Sequence, residues 1–201
     1  MPKAVEFYFD YASPYAYVAN EILEKKLPGA EIIYKPTYLR GLEMFREAMP
    51  FTARKVVYLS KDLARITSRE GIPHCQPSVF PVNGIHALRG ALWCQENAPE
   101  VFRAYHHALF RATWAEDQNV SDKNVVAEIA AGLKIDRDAF VSGIGDPRLK
   151  EQLKENTAAA EAQGIFGVPS FIVEGELYWG HDRMEYVREA LEDRASAAPG
   201  Q

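Results

Sequence analysis

The amino-acid sequence predicts an α/β fold in which two short α/β units enclose a long helical stretch. Three observations support this prediction. Strand-like runs occur near both ends of the chain, residues from about 42 to 162 follow helical spacing, and turn residues separate the segments. With 201 residues, the chain is long enough to bury a sizeable core.

The opening unit is predicted to have the order β-α-β. Residues 5–10 are rich in aromatic and β-favouring side chains, which indicates a first strand. Ser13 is a good N-cap and Pro14 suits the first helical position, so we expect a helix from Pro14 to Lys26. Residues 31–35 alternate as a second strand, and a connection of this size favours parallel pairing.

The middle of the chain is predicted to be helical throughout. Apolar residues recur at helical spacing in five strong stretches, which are residues 53–70, 85–97, 100–113, 122–133 and 147–162. We therefore expect an all-helical insertion domain over residues 41–162. The α/β domain around it would consist of residues 1–40 and 163–201.

The closing unit is predicted to have the order β-β-α. Residues 170–173 and 177–179 indicate two strands joined by a turn at residues 174–176, and a helix is expected over residues 183–191. Residues 195–201 are small and polar, and we expect them to fray. A β-α-β unit followed by a β-β-α unit, with a helical insertion between them, is the plan of the thioredoxin-like fold.

Composition argues against several classes of function. The formal net charge of −5 offers no general attraction to nucleic acid or anionic lipid, and no apolar run reaches the roughly 18 residues of a membrane span. The first residues enter a strand pattern without an export signal. Cys75 and Cys94 lie far apart, so a disulfide framework or a metal site has no support. We expect a cytoplasmic protein without a membrane, nucleic-acid or metal partner.

Ser13 is the leading candidate for the reaction centre. It lies where the first strand meets the first helix, and free backbone N–H groups and the helix dipole favour negative charge there. Thioredoxin-like oxidoreductases carry C-x-x-C at this junction, whereas residues 13–16 of this chain read Ser-Pro-Tyr-Ala. Any sulfur chemistry must therefore use an external thiol, and glutathione is the expected donor. The alternative is that Ser13 is only an N-cap.

Two further segments have both a functional and a structural interpretation. The Val168–Pro169 bond occupies the place where thioredoxin-like proteins have a cis-proline, and the Val168 backbone could pair with the cysteinyl part of glutathione. The alternative is a simple turn entering an edge strand. Asp182 opens the last helix, where it could receive the γ-glutamyl ammonium of glutathione or only cap backbone donors.

The remaining candidates favour structural roles. His86, His106 and His107 lack partners at zinc-like spacing, so packed or solvated roles are expected. One aromatic and apolar series has the spacing of a helix's core face, namely Phe102, Tyr105, Leu109 and Phe110.

Three motifs in order carry a resemblance to a known family. They are residues 7–15, residues 80–83 with Ala87 and Arg89, and residues 166–171 with 179–183. In these motifs the chain resembles the 2-hydroxychromene-2-carboxylate isomerases and the kappa-class glutathione transferases, in the DsbA-like branch of the thioredoxin superfamily. The resemblance implies that Ser13 contacts the glutathione sulfur. It also implies further glutathione contacts at Val168, Pro169, His181 and Asp182.

The resemblance also implies a substrate side. Lys55 matches the family's K-x-x-Y-x-x-x-D pattern, and Asn83 lies in the middle motif, so both are expected to bind substrate. Relatives commonly have an asparagine just upstream of this lysine, whereas this chain reads Ala-Met-Pro-Phe over residues 48–51. That departure leaves the substrate open.

The implied reaction is a cis-trans isomerisation that regenerates glutathione. The thiolate adds to the ring-opened 2-hydroxychromene-2-carboxylate, a double bond becomes a rotatable single bond, and the thiolate leaves after rotation. Two alternatives are a kappa-like transferase or peroxidase and a non-catalytic glutathione-binding protein. The resemblance further implies a homodimer.

Overall fold

The computed structural model describes residues 4–47 and 51–192, and these residues contain one four-stranded mixed sheet. Its strands, in the spatial order β2-β1-β3-β4, are β1 (Ala4–Phe9), β2 (Glu31–Pro36), β3 (Ser170–Val173) and β4 (Glu176–Trp179). Strand β1 runs parallel to β2 and antiparallel to β3, and β3 runs antiparallel to β4. The predicted thioredoxin-like sheet is confirmed.

The helices divide between the sheet and the insertion. Helix α1 (Pro14–Lys26) connects β1 to β2, and α9 (Met184–Glu192) follows β4 after a 3₁₀ turn at His181–Arg183. The helices between β2 and β3 are α2 (Glu43–Arg46), α3 (Ala53–Glu70), α4 (Ile85–Asn97), α5 (Pro99–Trp114), α6 (Lys123–Gly132), α7 (Arg137–Gly145) and α8 (Pro147–Ala162). The predicted helical insertion is therefore present.

Helix α7 lies within the predicted helical region but outside its five strong stretches. It has only nine residues, and two of them are glycines, which have the lowest helix propensity of any residue except proline. The helix forms because its Phe140 and Ile144 side chains are buried in the core, so tertiary packing compensates for weak propensity.

The two faces of β1 contribute to different apolar clusters. Phe7 and Phe9 belong to a large core that also contains side chains of α1, α4, α5 and α9. Tyr8 faces the other way and joins a smaller cluster with Leu42, Ile165 and Val168. Because the insertion and the sheet share the large core, the division into domains at residues 40/41 and 162/163 stays a prediction.

The buried part of α5 fills the space beside the sheet. The predicted core series Phe102, Tyr105, Leu109 and Phe110 is fully or almost fully buried. His106 is also buried and lies 4.4 Å from the Phe9 ring, and its Nδ1 is 3.1 Å from the Tyr11 hydroxyl. A packed role for His106 is thereby confirmed. Within the described residues no helix is both long and apolar enough to cross a membrane.

Candidate active site

The turn between β1 and α1 holds Ser13 in a defined position. The Ser13 N–H donates to the Asp10 carbonyl at 3.0 Å, and the Ser13 backbone is extended, as an N-cap requires. Its Oγ accepts the Ala16 N–H at 3.2 Å, and only 4% of the residue is exposed. Ser13 is therefore a helix cap, and its hydroxyl proton remains available for a second bond.

That second bond joins Ser13 to the loop before β3. The Ser13 hydroxyl donates to the Val168 carbonyl at 3.1 Å, and the Val168–Pro169 peptide is cis, as predicted. The Pro169 carbonyl accepts the Gly180 N–H at 2.9 Å. The turn between β1 and α1, the loop before β3 and the turn after β4 therefore meet near the N-terminus of α1.

His181 lies beside the first turn of α1. Its ring stacks on Tyr15 with centroids 5.4 Å apart, and the Tyr15 hydroxyl donates to Asp62 Oδ2 of α3 at 3.3 Å. Burial lowers the pKa of His181, so the imidazole is neutral near pH 7. Burial and the Asp62 carboxylate both raise the pKa of Tyr15, which stays a hydrogen-bond donor. Asp62 was not predicted as a site residue, although it is the final residue of the K-x-x-Y-x-x-x-D pattern.

Asp182 does not cap the closing helix. The 3₁₀ turn begins after Gly180 without a side-chain cap, and Asp182 instead pairs with Arg183 at 3.1 Å. Its side chain is 59% exposed. The capping alternative is therefore wrong. The carboxylates of Asp182, Asp62 and Glu70 each favour the charged form of His181, so the surroundings of this ring are negative. The arrangement suits a cationic ammonium group.

A cleft of about 220 Å³ begins at His181 and Asp182 and runs between α1, α3 and α9. Its floor is apolar and its rim is charged, with Ile22, Ile66 and Met184 below and Lys26, Arg69, Glu70 and Glu185 above. Ser13 does not line this cleft. A ligand bound at Ser13 would reach this cleft only by extending past His181.

Lys55 and Asn83 lie on the two segments expected to face the substrate. Lys55 Nζ lies 4.5 Å from the centroid of the Phe51 ring, and Lys55 is two turns from Asp62 on α3. Asn83 Oδ1 accepts the Ile85 N–H at 3.2 Å, which forms an Asx-turn just before α4, whose N-cap is Gly84. Residues 48–50, where the family asparagine is absent, lie outside the described residues.

Asp10 is a buried carboxylate that the sequence did not single out. Its Oδ1 accepts the Ala12 N–H at 2.9 Å and its Oδ2 accepts the Leu39 N–H at 2.8 Å. Burial raises the pKa of Asp10 to about 6, although both hydrogen bonds act to lower it. Gly84, immediately before α4, packs so closely that an added Cβ would lie 2.3 Å from Asp10 Oδ1.

Neither cysteine of the chain occupies the helix junction at residues 13–16. Cys75 and Cys94 are free thiols in the loop after α3 and within α4. Cys94 is buried, which raises its pKa to about 12 and makes it a poor nucleophile. Chemistry at Ser13 therefore depends on a thiol from a ligand or on the hydroxyl itself.

Comparison with known proteins decides the family. The profile of the DSBA-like thioredoxin domain matches residues 4–192. The chain belongs to the DSBA-like thioredoxin family. This DSBA-like protein is also 30% identical over 193 residues to 2-hydroxychromene-2-carboxylate isomerase of Pseudomonas putida, which covers 93% of each chain.

Two further comparisons support the relationship of this DSBA-like protein to isomerases and kappa-class transferases. Human glutathione S-transferase kappa 1 is 25% identical over 210 residues, covering 96% of this chain and 93% of that one. A solved 2-hydroxychromene-2-carboxylate isomerase structure superposes with a TM-score of 0.83 at 28% identity, covering 96% and 98% of the two chains. The resemblance inferred from the three motifs is confirmed, and so is the prediction of an enzyme related to these isomerases.

Proposed function

We propose that this protein is a glutathione-dependent cis-trans isomerase acting on 2-hydroxychromene-2-carboxylate or a related aromatic enone acid. The observation that carries the proposal is the Ser13 hydroxyl, which lies at a helix N-terminus, 3.1 Å from the carbonyl of the residue before a cis-proline. Similarity to named isomerases over nearly the whole chain supports the choice of reaction.

In the proposed pose, glutathione extends from the Val168 backbone past His181. The Val168 backbone precedes a cis-proline and can pair with the cysteinyl unit as a strand would, which places the sulfur beside Ser13. The γ-glutamyl end then extends past His181 toward two carboxylates, Asp62 and Asp182, which suit its ammonium group. Backbone N–H groups at the start of the 3₁₀ turn suit its carboxylate.

The protein's own residues supply positioning and charge stabilisation. Bound glutathione would supply a thiolate that adds reversibly to the substrate and leaves after bond rotation. Ser13 would donate a hydrogen bond to the sulfur and favour its ionised form, and the dipole of α1 would act in the same direction. Neutral His181 packs against Tyr15 and adds no positive charge. Ser13 is therefore the residue proposed to control thiolate formation.

The substrate would approach from the side of α3 and α4. Lys55 provides a mobile positive charge suited to a carboxylate or a phenolate. Asn83 Oδ1 accepts the Ile85 N–H, and its Nδ2 makes no hydrogen bond within the described residues. In this proposal both residues bind the aromatic acid, the protein is a homodimer, and it resides in the cytoplasm, where glutathione is supplied.

A kappa-like transferase or peroxidase is the second candidate, since similarity to human glutathione S-transferase kappa 1 extends over 96% of the chain. Calorimetric titration with glutathione tests the shared premise, and product analysis then separates the candidates. An isomerase returns all glutathione, whereas a transferase releases a stable conjugate. Tight binding without turnover of any electrophile would indicate a non-catalytic protein. No binding at millimolar glutathione would overturn all three.

Replacing Asp182 by alanine is expected to weaken glutathione binding about tenfold, because one charge-assisted contact to the ammonium is lost. Turnover at saturating glutathione should stay nearly unchanged, because the contact is remote from the sulfur. Stability should also be preserved, since Asp182 is exposed and caps no helix. Calorimetry and steady-state kinetics measure both effects. Slower turnover with unchanged affinity would contradict the assignment.

Replacing Lys55 by methionine is expected to raise the KM for the anionic aromatic acid about five- to tenfold, because one point charge is removed. Glutathione affinity should remain within twofold of wild type by calorimetry. Lys61→Met at another exposed position of the same helix is the matched control. Equal losses for both ligands would place Lys55 in the glutathione site or make it structural.

A further inference from the structure

Asp10 accepts hydrogen bonds from three backbone N–H groups, two in the turn that holds Ser13 and one just after β2. One carboxylate oxygen accepts the N–H of Ala12, in the turn that leads to Ser13. The other accepts the N–H of Leu39, where the chain leaves β2 and enters the helical insertion. The backbone carbonyl of the same residue accepts the Ser13 N–H at 3.0 Å. Asp10 therefore fixes the Ser13 turn from both its main chain and its side chain.

The surroundings of this carboxylate are unusual for a charged group. Asp10 is 1% exposed, and within the described residues no cationic side chain lies within ion-pair distance of it. Arg40 acts on it at longer range, and the Tyr11 and Tyr38 hydroxyls are the other titratable groups that face it. In the segment entering α4, Gly84 packs against it, and Arg89 of α4 acts on Tyr38. Burying a carboxylate without an ion pair is unfavourable, so a specific task is needed to explain it.

We propose that Asp10 is a positioning residue for Ser13, with its carboxylate joining the Ser13 turn to the segment that connects β2 to the helical insertion. The inference rests on the proposed role of Ser13 in thiolate formation. Gly84 of the insertion packs against the same carboxylate, since an added Cβ would lie 2.3 Å from Oδ1, so the carboxylate is also confined on the side of α4. The position of the Ser13 hydroxyl is thus set partly by residues of the insertion.

Protonation of Asp10 weakens this junction. A carboxylate accepts from both N–H groups, whereas a carboxylic acid carries a proton on one oxygen and loses one acceptor. Burial brings the pKa of this group to about 6, so the change falls just below neutral pH. Above about pH 6 the carboxylate therefore accepts from both Ala12 and Leu39, and well below it one of these two N–H groups loses its acceptor.

The test uses a thiol introduced at position 13 as a reporter that needs no glutathione. Ser13→Cys is made together with Cys75→Ser and Cys94→Ala, so the introduced thiol is the only cysteine of the reporter chain. Its thiolate fraction is measured by ultraviolet absorbance and its alkylation rate by reaction with iodoacetamide across the pH range. The alkylation rate constant per thiolate should change about two- to tenfold, with an inflection near pH 6. That size matches the loss of one hydrogen bond to the Asp10 carboxylate.

Two variants separate the position of the Asp10 carboxylate from its charge. Asp10→Asn in the reporter chain removes the titration, so the inflection near pH 6 should disappear. Gly84→Ala keeps the charge but pushes on the carboxylate, because its Cβ would lie 2.3 Å from Oδ1, and it should alter the alkylation curve as well. Gly132→Ala in α6 meets nothing within 4 Å and serves as the matched glycine control.

The outcomes are decisive in either direction. Identical curves for the reporter chain with and without Asp10→Asn, or a curve unaffected by Gly84→Ala, would overturn the positioning role. If Gly84→Ala does not fold, the amide proton shifts of Ala12, Ser13 and Leu39 in the wild-type chain replace it. These should titrate together near pH 6, and a flat Ser13 amide would refute the coupling. Failure of glutathione to bind would remove the proposed function and leave this result standing.

Discussion

Replacing Ser13 by alanine is expected to raise the pKa of the bound glutathione thiol by about one unit. A free thiol with a pKa near 8.5 is only about 3% ionised at pH 7, so the site must favour the thiolate to work at neutral pH. The dipole of a helix contributes about 0.3 to 1 kcal/mol, whereas a hydrogen bond to a charged group contributes about 1.5 to 3. The Ser13 hydroxyl should therefore supply the larger share.

The hydrogen bond between Ser13 and Val168 sets an upper limit on this effect. The hydroxyl donates to the Val168 carbonyl at 3.1 Å, so glutathione binding exchanges one hydrogen bond for another. The gain is the difference between a bond to a charged sulfur and a bond to a neutral carbonyl, about 1 to 2 kcal/mol. Turnover at pH 7 should accordingly fall about 5- to 30-fold in Ser13→Ala and recover partly at higher pH.

Ser13→Gly separates the effect of Ser13 on catalysis from its effect on stability as a helix cap. Alanine at an N-cap costs about 0.5 to 2 kcal/mol because the Ala16 N–H loses its acceptor, whereas glycine costs only a few tenths. Both variants should lose the same catalytic effect while differing in the free energy of unfolding. Ultraviolet titration of bound glutathione in all three proteins provides the comparison. An unchanged thiol pKa in every protein would reduce Ser13 to a helix cap.

Local sequence signals predicted the elements that carry the site. A serine followed by a proline at the end of an apolar run marks both the cap and the first residue of α1, and the structure begins that helix at Pro14. The segment before β3 was recognised because a proline occurs at a fixed place in the element order, and its peptide is cis. In both cases the information lies within a few consecutive residues.

Contacts between distant segments were not predictable in the same way. The stack of Tyr15 on His181 joins residues 166 positions apart, and Asp62 reaches this pair from the insertion. No local pattern specifies such a meeting, since it depends on how α3 packs against α1. The same holds for Gly84 against Asp10, where a glycine in an ordinary loop becomes informative only once its neighbour is known. The second cis peptide, at Phe80–Pro81, likewise lies in a loop without an element-order signal.

Replacing Gly180 by alanine is expected to have the largest effect on glutathione affinity among residues that contact no ligand in the proposed pose. Gly180 has φ +108° and ψ 149°, a conformation that is essentially restricted to glycine. An alanine Cβ would also lie 2.6 Å from Asp182 Oδ1 and would displace that carboxylate. The free energy of unfolding should fall by about 1 to 3 kcal/mol. The dissociation constant for glutathione should rise about tenfold or more, because the turn carrying His181 and Asp182 moves.

The control for this variant is Gly175→Ala in the turn between β3 and β4. Gly175 has φ +88°, so alanine is strained there too, but its Cβ would meet nothing within 4 Å. It should lose a similar amount of stability by chemical denaturation and bind glutathione as tightly as wild type by calorimetry. A loss of affinity specific to Gly180→Ala would tie glutathione to the turn that follows β4. Equal affinities in the two variants would mean that the γ-glutamyl end binds elsewhere, because no ligand could use Asp182 and ignore its displacement.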